Sequence, residues 1–172
     1  MKLRSILAMA AIGFLASCET TYKATDTAVV VAPDGTQTAF VTRYPSASNV
    51  VWTYYDPAVV VPVDWDLAGW TVLDGSDYTV RFLMDNDDYY AFYDDAGNWV
   101  GTAYVVKDYN TIPVAITNMI HTSYPTYTIS TVNRTFTTDR MLYEVEMKNN
   151  DTKVKMLVDA NGTVIKSKTK SL

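Results

Sequence analysis

Apolar residues recur at helical spacing between Pro113 and Pro125, where Ile116, Met119 and Ile120 fall on one face. Proline is pre-organised for the first turn of a helix, and the residue before a proline tends to leave the helical region. Residues 113–124 therefore predict a helix bracketed by prolines. The same marks stand 80 residues earlier, in Ala32-Pro33, Ala39-Phe40 and Tyr44-Pro45. This earlier helix is the weaker one, because Asp34-Gly35 and three threonines lower its propensity.

After each helix the period changes from helical to alternating. Tyr143, Val145 and Met147 alternate with Glu144, Glu146 and Lys148, and Val154, Met156 and Val158 alternate with Lys153 and Lys155. Leu157 is the exception. The later half predicts strands over residues 127–136, 141–148, 152–159 and 163–168, with a wet outer face and a type I′ turn at Asn161-Gly162. The Lys166, Lys168 and Lys170 run reads as the solvated face of the last strand. The Tyr143 segment matches the Tyr78 segment at an offset of 65, and residues 158–162 match 94–98 at 64. The drop from 80 places about 15 extra residues in the first half, at 56–70, a stretch rich in proline and valine. The expected fold is α+β. Two tandem helix–four-stranded antiparallel meander units, residues 32–110 and 111–172, form one extended sheet with the helices on one face.

The first half has an aromatic surplus. If Tyr78, Val80 and Phe82 point inward together with Tyr90 and Phe92, the opposite face carries Arg81, Leu83, Tyr89, Tyr93 and Trp99. Those five are the candidate partner-binding residues, since aromatic side chains on an uncovered sheet face mark interfaces. The competing expectation is that the 56–70 insertion, with its valines, Trp65 and Trp70, folds across that face and buries it.

The N-terminus has the build of an export signal. Lys2 and Arg4 precede an apolar stretch over residues 6–15, too short to span a bilayer. Leu15-Ala16-Ser17-Cys18 resembles the bacterial lipobox. That resemblance implies a signal peptide over 1–17 and lipid on the Cys18 thiol; residues 18–31, threonine-rich and polar at first, read as a lipid-anchored tether. Several acyl chains would anchor the protein firmly to a membrane. By analogy with lipoprotein sorting, Glu19 after the cysteine favours the outer membrane. Cys18 is the only cysteine, so no disulfide supports the exported domain.

The net charge is −5, and removing Lys2 and Arg4 leaves 12 basic residues against 19 acids, or −7. An acidic chain without a basic cluster is a poor nucleic-acid binder. Hydrophobic residues at 48% allow a core, and the abundance of threonine, valine and tyrosine suits β structure. Catalytic chemistry is not visible. The one histidine, His121, has no nucleophile to serve, so no triad can be assembled. Zinc lacks His and Cys ligands. Asp85, Asp87 and Asp88, or Asp94 and Asp95, fit turn capping better than a calcium loop, because Tyr90 stands where that loop needs glycine. No catalytic residue, metal or cofactor is expected.

The helix, Tyr-Pro, strand, Tyr-x-Val and Asp-turn order, marked by Pro33, Tyr44-Pro45 and Trp52 and again by Pro113, Tyr124-Pro125 and Tyr143-x-Val145, resembles the β-lactamase-inhibitor-like, PepSY-like domain of Bacteroidetes exported proteins. The long 56–70 insertion departs from that pattern, as does Val132 where the first half has Trp52. Proteins of that family mostly lack an assigned activity, and the name reflects likeness to an inhibitor that binds its enzyme through a sheet face; the missing catalytic set and the aromatic face are what point to a binding module without catalysis. With the leader, the expectation is a cell-envelope lipoprotein that meets an envelope protein partner through the aromatic face. Two alternatives stay open: a ligand-binding lipoprotein or enzyme whose pocket lies under the insertion, using Asp64, Asp66 or Asp74 with Trp65 and Trp70, and a structural component that associates with copies of itself.

Overall fold

A computed structural model describes residues 28–172; the expected leader, Cys18 and the tether up to residue 27 lie outside the described residues. In chain order the elements are α1 (Asp34–Arg43), β1 (Ser48–Tyr54), a single-turn α2 (Trp65–Ala68), β2 (Tyr78–Met84), β3 (Asp87–Tyr93) and β4 (Trp99–Val105). A 3-10 turn (Tyr109–Thr111) then leads to α3 (Val114–Ser123), β5 (Thr128–Phe136), β6 (Met141–Lys148), β7 (Thr152–Val158) and β8 (Val164–Ser171). The eight strands form one antiparallel sheet in sequence order, so the fold is α+β with a single meandering sheet.

The proline brackets decide where α1 and α3 begin and end. Pro33 and Pro113 sit one place earlier than expected, as N-caps with extended ψ of 145° and 131°. At the other end the N–H groups of Tyr44 and Tyr124 donate to the carbonyls of Phe40 and Ile120, at 2.9 and 2.8 Å. Pro45 and Pro125 have no N–H with which to continue the ladder. Phe40 of α1 and Ile116 and Ile120 of α3 enter one core with Val80, Phe82, Tyr93, Val132, Tyr143, Val145 and Met147. Both helices therefore cover the same, inner face of the sheet. Each fully buried side chain of this size contributes roughly 1.5–3 kcal/mol.

Two turns differ from expectation. The β7–β8 turn is not type I′, because among its residues only Gly162 has a positive φ, 82°. Asp159 shapes it instead: its carboxylate accepts the N–H groups of Asn161 and Thr163, each at 2.9 Å. The positive-φ pair belongs to the β2–β3 hairpin, where Asp85 and Asn86 have φ of 52° and 66°. The last strand runs to Ser171, three residues beyond the expected end.

That two-residue turn sets the register Phe82↔Tyr89, Val80↔Ala91 and Tyr78↔Tyr93. Directly opposed residues share a face, so Tyr89, Ala91 and Tyr93 join the inner side while Tyr90 and Phe92 point outward. The expected assignment of β3 is therefore inverted, since it would require an odd number of turn residues.

The outer face of the first half is covered by the chain between β1 and β2. Tyr55, Val63, Ala68 and Leu73 pack on Phe92 and Ala103, joined by the partly buried Trp65 and Trp70. Trp65 stands edge-on to Phe92 with ring centroids 5.2 Å apart. Gly101 of β4 makes room for Trp70: a Cβ there would lie 2.7–2.8 Å from the indole ring. The insertion also crosses into the second half, where Leu67 of α2 buries Leu142 and Leu157. Leu157 broke the polar alternation because it has a cover.

Gly101→Val should displace Trp70 and lower stability by about 1–3 kcal/mol, the usual cost of overpacking. Thermal unfolding combined with near-ultraviolet circular dichroism of the tryptophans would measure this. An unchanged midpoint would show that the insertion does not depend on that contact.

Candidate functional site

Where the insertion meets the second half, a cleft of about 390 Å³ opens on the outer face, lined by Val61, Val63, Asp64, Trp65, Asp66, Asn133, Glu144, Lys155 and Lys168. Asp64 organises it. As the N-cap of α2 its side chain accepts the Leu67 N–H, satisfying one of the orphan donors of the turn. Its carboxylate also pairs with Lys168 at 2.7 Å and Lys155 at 3.3 Å. Its backbone N–H donates to both oxygens of Glu144, at 2.9 and 3.1 Å. Lys166 adds a hydrogen bond to the carbonyl of Asp66.

The two carboxyls at this junction titrate in opposite directions. Burial opposes ionisation of Asp64, but the hydrogen bonds and charges of Lys168 and Lys155 outweigh it and hold its carboxyl below the usual range. Glu144 is only 5% exposed. Its burial, reinforced by the charge of Asp64, pushes its carboxyl up to about 7, against the opposing hydrogen bonds from Asp64 and Asn133 and the charge of Lys155. Asn133 keeps a buried carbonyl oxygen with no hydrogen-bond partner among the described residues. The expected wet outer face thus holds for Glu146, Lys148 and Lys153 but not for Glu144, which α2 covers. Nor is the lysine run of β8 simply solvated, since Lys166 and Lys168 hold the insertion.

The five candidate partner-binding residues divide between the faces. Tyr89 and Tyr93 lie in the inner core, 7% and 0% exposed. Burial raises both phenols far above the usual range. The Tyr93 hydroxyl is buried without a hydrogen-bond partner among the described residues. Trp99, opposite Tyr93, also lies on the helix side, where the Arg43 guanidinium stacks 3.6 Å from its ring and its Nε1–H donates to Thr102 at 3.0 Å. Only Arg81 and Leu83 face outward, with Arg81 exposed and paired to Asp88 at 2.9 Å. The aromatic face expected from the sequence is therefore not a free surface; its tyrosines are core residues and its true outer aromatics, Tyr90 and Phe92, lie beneath the insertion.

The pocket expected beneath the insertion takes a different form. Asp64, Asp66 and Trp65 line the cleft, whereas Trp70 is packed on Gly101 and Asp74 is turned to Ser76. The space beneath the insertion is filled by its own apolar cluster. His121 is exposed on the last turn of α3. Asp87 and Asp88 are engaged by Lys107 and Arg81, and Asp94 by Asn98.

A family model described as "Putative beta-lactamase-inhibitor-like, PepSY-like" matches residues 76–166, more than half of the chain. The chain belongs to the β-lactamase-inhibitor-like, PepSY-like family. Solved structures of similar fold come from Bacteroides. A BLIP-like protein of Bacteroides fragilis superimposes with a TM-score of 0.65 at 17% identity, over 86% of this chain and 92% of that one. A DUF2874 family protein of Bacteroides uniformis gives 0.62 at 22% identity, over 81% and 90%. A structure described as "putative periplasmic proteins" from Bacteroides eggerthii gives 0.60 at 17% identity, over 81% and 90%. No curated protein matches the chain.

The raised Glu144 carboxyl makes a signed prediction. Between the unfolded value of 4.5 and about 7 the native state binds more protons than the unfolded chain, so this group's contribution to stability falls as pH rises through that window. The size is on the order of 3 kcal/mol. Glu144→Gln keeps a carbonyl acceptor for the Asp64 N–H and removes the titration. Denaturant unfolding at pH 4.5, 6 and 8 should show wild type losing ground to the variant as pH rises; a constant difference would contradict the assignment.

Proposed function

We propose that this protein is a lipid-anchored, non-catalytic binding module of the cell envelope, assembled from two copies of one helix–four-strand unit over residues 32–110 and 111–172. The observation that carries the binding reading is an open end of the outer sheet face. The helices take the inner face and the insertion covers the outer one only as far as Tyr90 and Ala103 in the first half and Glu144 and Leu157 in the second. Beyond it, register pairs run Val105↔Asn133, Thr131↔Glu146 and Lys148↔Lys153, with Arg81 and Leu83 at the other side. Val51 and Val105 are 40% and 42% exposed there. This flat region joins the cleft beside Asp64 and offers a rim of mixed charge, the kind of surface on which complementarity sets specificity.

The repeat is supported by local geometry. Both main helices have ten residues, and each is capped at its C-terminus by a tyrosine preceding proline. In both halves a hairpin glycine sits against the first turns of the helix, Gly97 against Thr36 and Gly162 against Ala115. The envelope location is supported by the export signal and lipobox pattern in the sequence and by the periplasmic description of the B. eggerthii relative.

Two measurements test this reading. Solubilised envelope proteins captured by the full chain should be lost with a Leu83→Arg/Thr131→Arg variant and kept with Val41→Arg, an exposed position on α1. Equal recovery by all three would remove the outer face from consideration. Cys18→Ser should abolish incorporation of labelled palmitate and release the protein from membranes, and label retained by the variant would refute the anchor.

A further inference from the structure

The open end of the outer face carries a feature that packing does not account for. Lys148 of β6, Lys153 of β7 and Lys170 of β8 stand directly opposite one another in a row across three strands. Like charges in directly opposed sheet positions destabilise the pairing. Lysines on β8 have an ordinary purpose, because that strand is a sheet edge and charge there discourages edge-to-edge association. Lys148 and Lys153 lie on interior strands, where there is no edge to protect. Relief within the fold is slight: Lys153 pairs with Glu146 at 2.7 Å, while Lys148 and Lys170 form no ion pair among the described residues. In a chain of net charge −5, a row of three lysines is a strong local departure.

The row ends at a second hollow. Thr128 continues it on β5, opposite Lys148, and a depression of about 520 Å³ there is lined by Thr126, Thr128, Lys148, Asn149, Asn150 and Asp151. Strands lie about 4.8 Å apart, so the three ammonium groups span roughly 10 Å. Hydroxyl, amide and carboxylate side chains beside a cationic row are suited to a ligand that has both acid groups and many hydroxyls. A planar anionic membrane would meet the lysines but leave the hollow empty. A polymer of phosphate alone would find Asp151 repulsive.

We infer that this end of the sheet binds an acidic polysaccharide, its carboxylates laid along Lys148, Lys153 and Lys170 and its sugar hydroxyls in the Thr126–Asp151 hollow. The inference rests on the binding-module reading and names a partner class for it.

Calorimetry of the full chain with polygalacturonate, uncharged dextran, inorganic polyphosphate and phosphatidylglycerol vesicles, at low and moderate salt, tests it. Polygalacturonate should bind, weaken as salt screens the charges, and lose at least about ten-fold in affinity in Lys148→Gln/Lys153→Gln/Lys170→Gln, while Arg140→Gln stays close to wild type. The triple variant should melt close to wild type, because the repulsion it removes offsets the loss of the partly exposed Lys153–Glu146 pair, so lost binding would not be lost folding. Absence of polygalacturonate binding, equal binding by the triple variant, or equally tight binding of polyphosphate or vesicles would each overturn the proposal. If those outcomes occur while the Leu83→Arg/Thr131→Arg variant still loses its protein partners, the polysaccharide falls and the binding module stands.

Discussion

A β-sheet alternates its side chains between two faces, and eight strands present more surface on each than a chain of this size can leave bare. The inner face is closed by α1 and α3, whose Phe40, Ile116 and Ile120 reach a common core. Closing the outer face falls to the chain between β1 and β2, which has little secondary structure of its own beyond the single turn of α2. So short an element cannot hold itself in place by helix propensity. It is held by what it lands on: Phe92 and Gly101 beneath its tryptophans, Leu142 and Leu157 beneath Leu67, and two lysines around Asp64. The position of the cleft, the burial of Glu144 and the extent of the open surface all follow from where this segment is fastened.

That fastening has an electrostatic cost. Glu144 and Asp64 are both acidic and in contact, and the two lysines nearby belong mainly to Asp64. The result is an unequal sharing in which Asp64 stays ionised while Glu144 is driven toward its neutral form. A buried carboxyl that can be neutral near pH 7 lets the backbone N–H of α2 be satisfied without a full second negative charge under the insertion. Aliphatic residues alone could cover Leu142 and Leu157, but they would not fix the orientation of α2 as a bidentate contact to its N-cap does.

Much of the fold was legible in the sequence. The prolines at 33, 45, 113 and 125 bracket α1 and α3, and the change from a period of 3.6 to a period of 2 locates the strands of the second half to within a few residues. The resemblance carried by these marks agrees with the family match. What could not be read was the face of β3, because a strand's period shows that two sets alternate but not which set is buried when both are aromatic. The decision was made by the number of residues in the turn. Asp85-Asn86 as a two-residue turn places Tyr89 opposite Phe82, and counting outward from that pair would have moved Tyr89 and Tyr93 into the core. The reach of the insertion was equally hidden, since contacts separated by about 80 to 100 residues leave no local period. The apolar residues at 142 and 157, on an otherwise charged face, were its one trace.

The inversion of β3 alters the physical character of any interface on this molecule. Had the tyrosines been outside, association would have drawn on large, rigid aromatic area and would have been largely insensitive to salt. With Tyr89 and Tyr93 in the core and Phe92 covered, the open part of the sheet is composed of Arg81, Thr131, Glu146, Lys148 and Lys153, with only scattered valines between them. Contacts made by such groups in water are individually weak and are screened at physiological ionic strength. Their value lies in steering encounter and rejecting partners of the wrong charge pattern. On the proposed reading, an acidic domain that concentrates several lysines at one end of a sheet would select by charge arrangement, while the hydrophobic energy of its many aromatic residues is spent inside the fold.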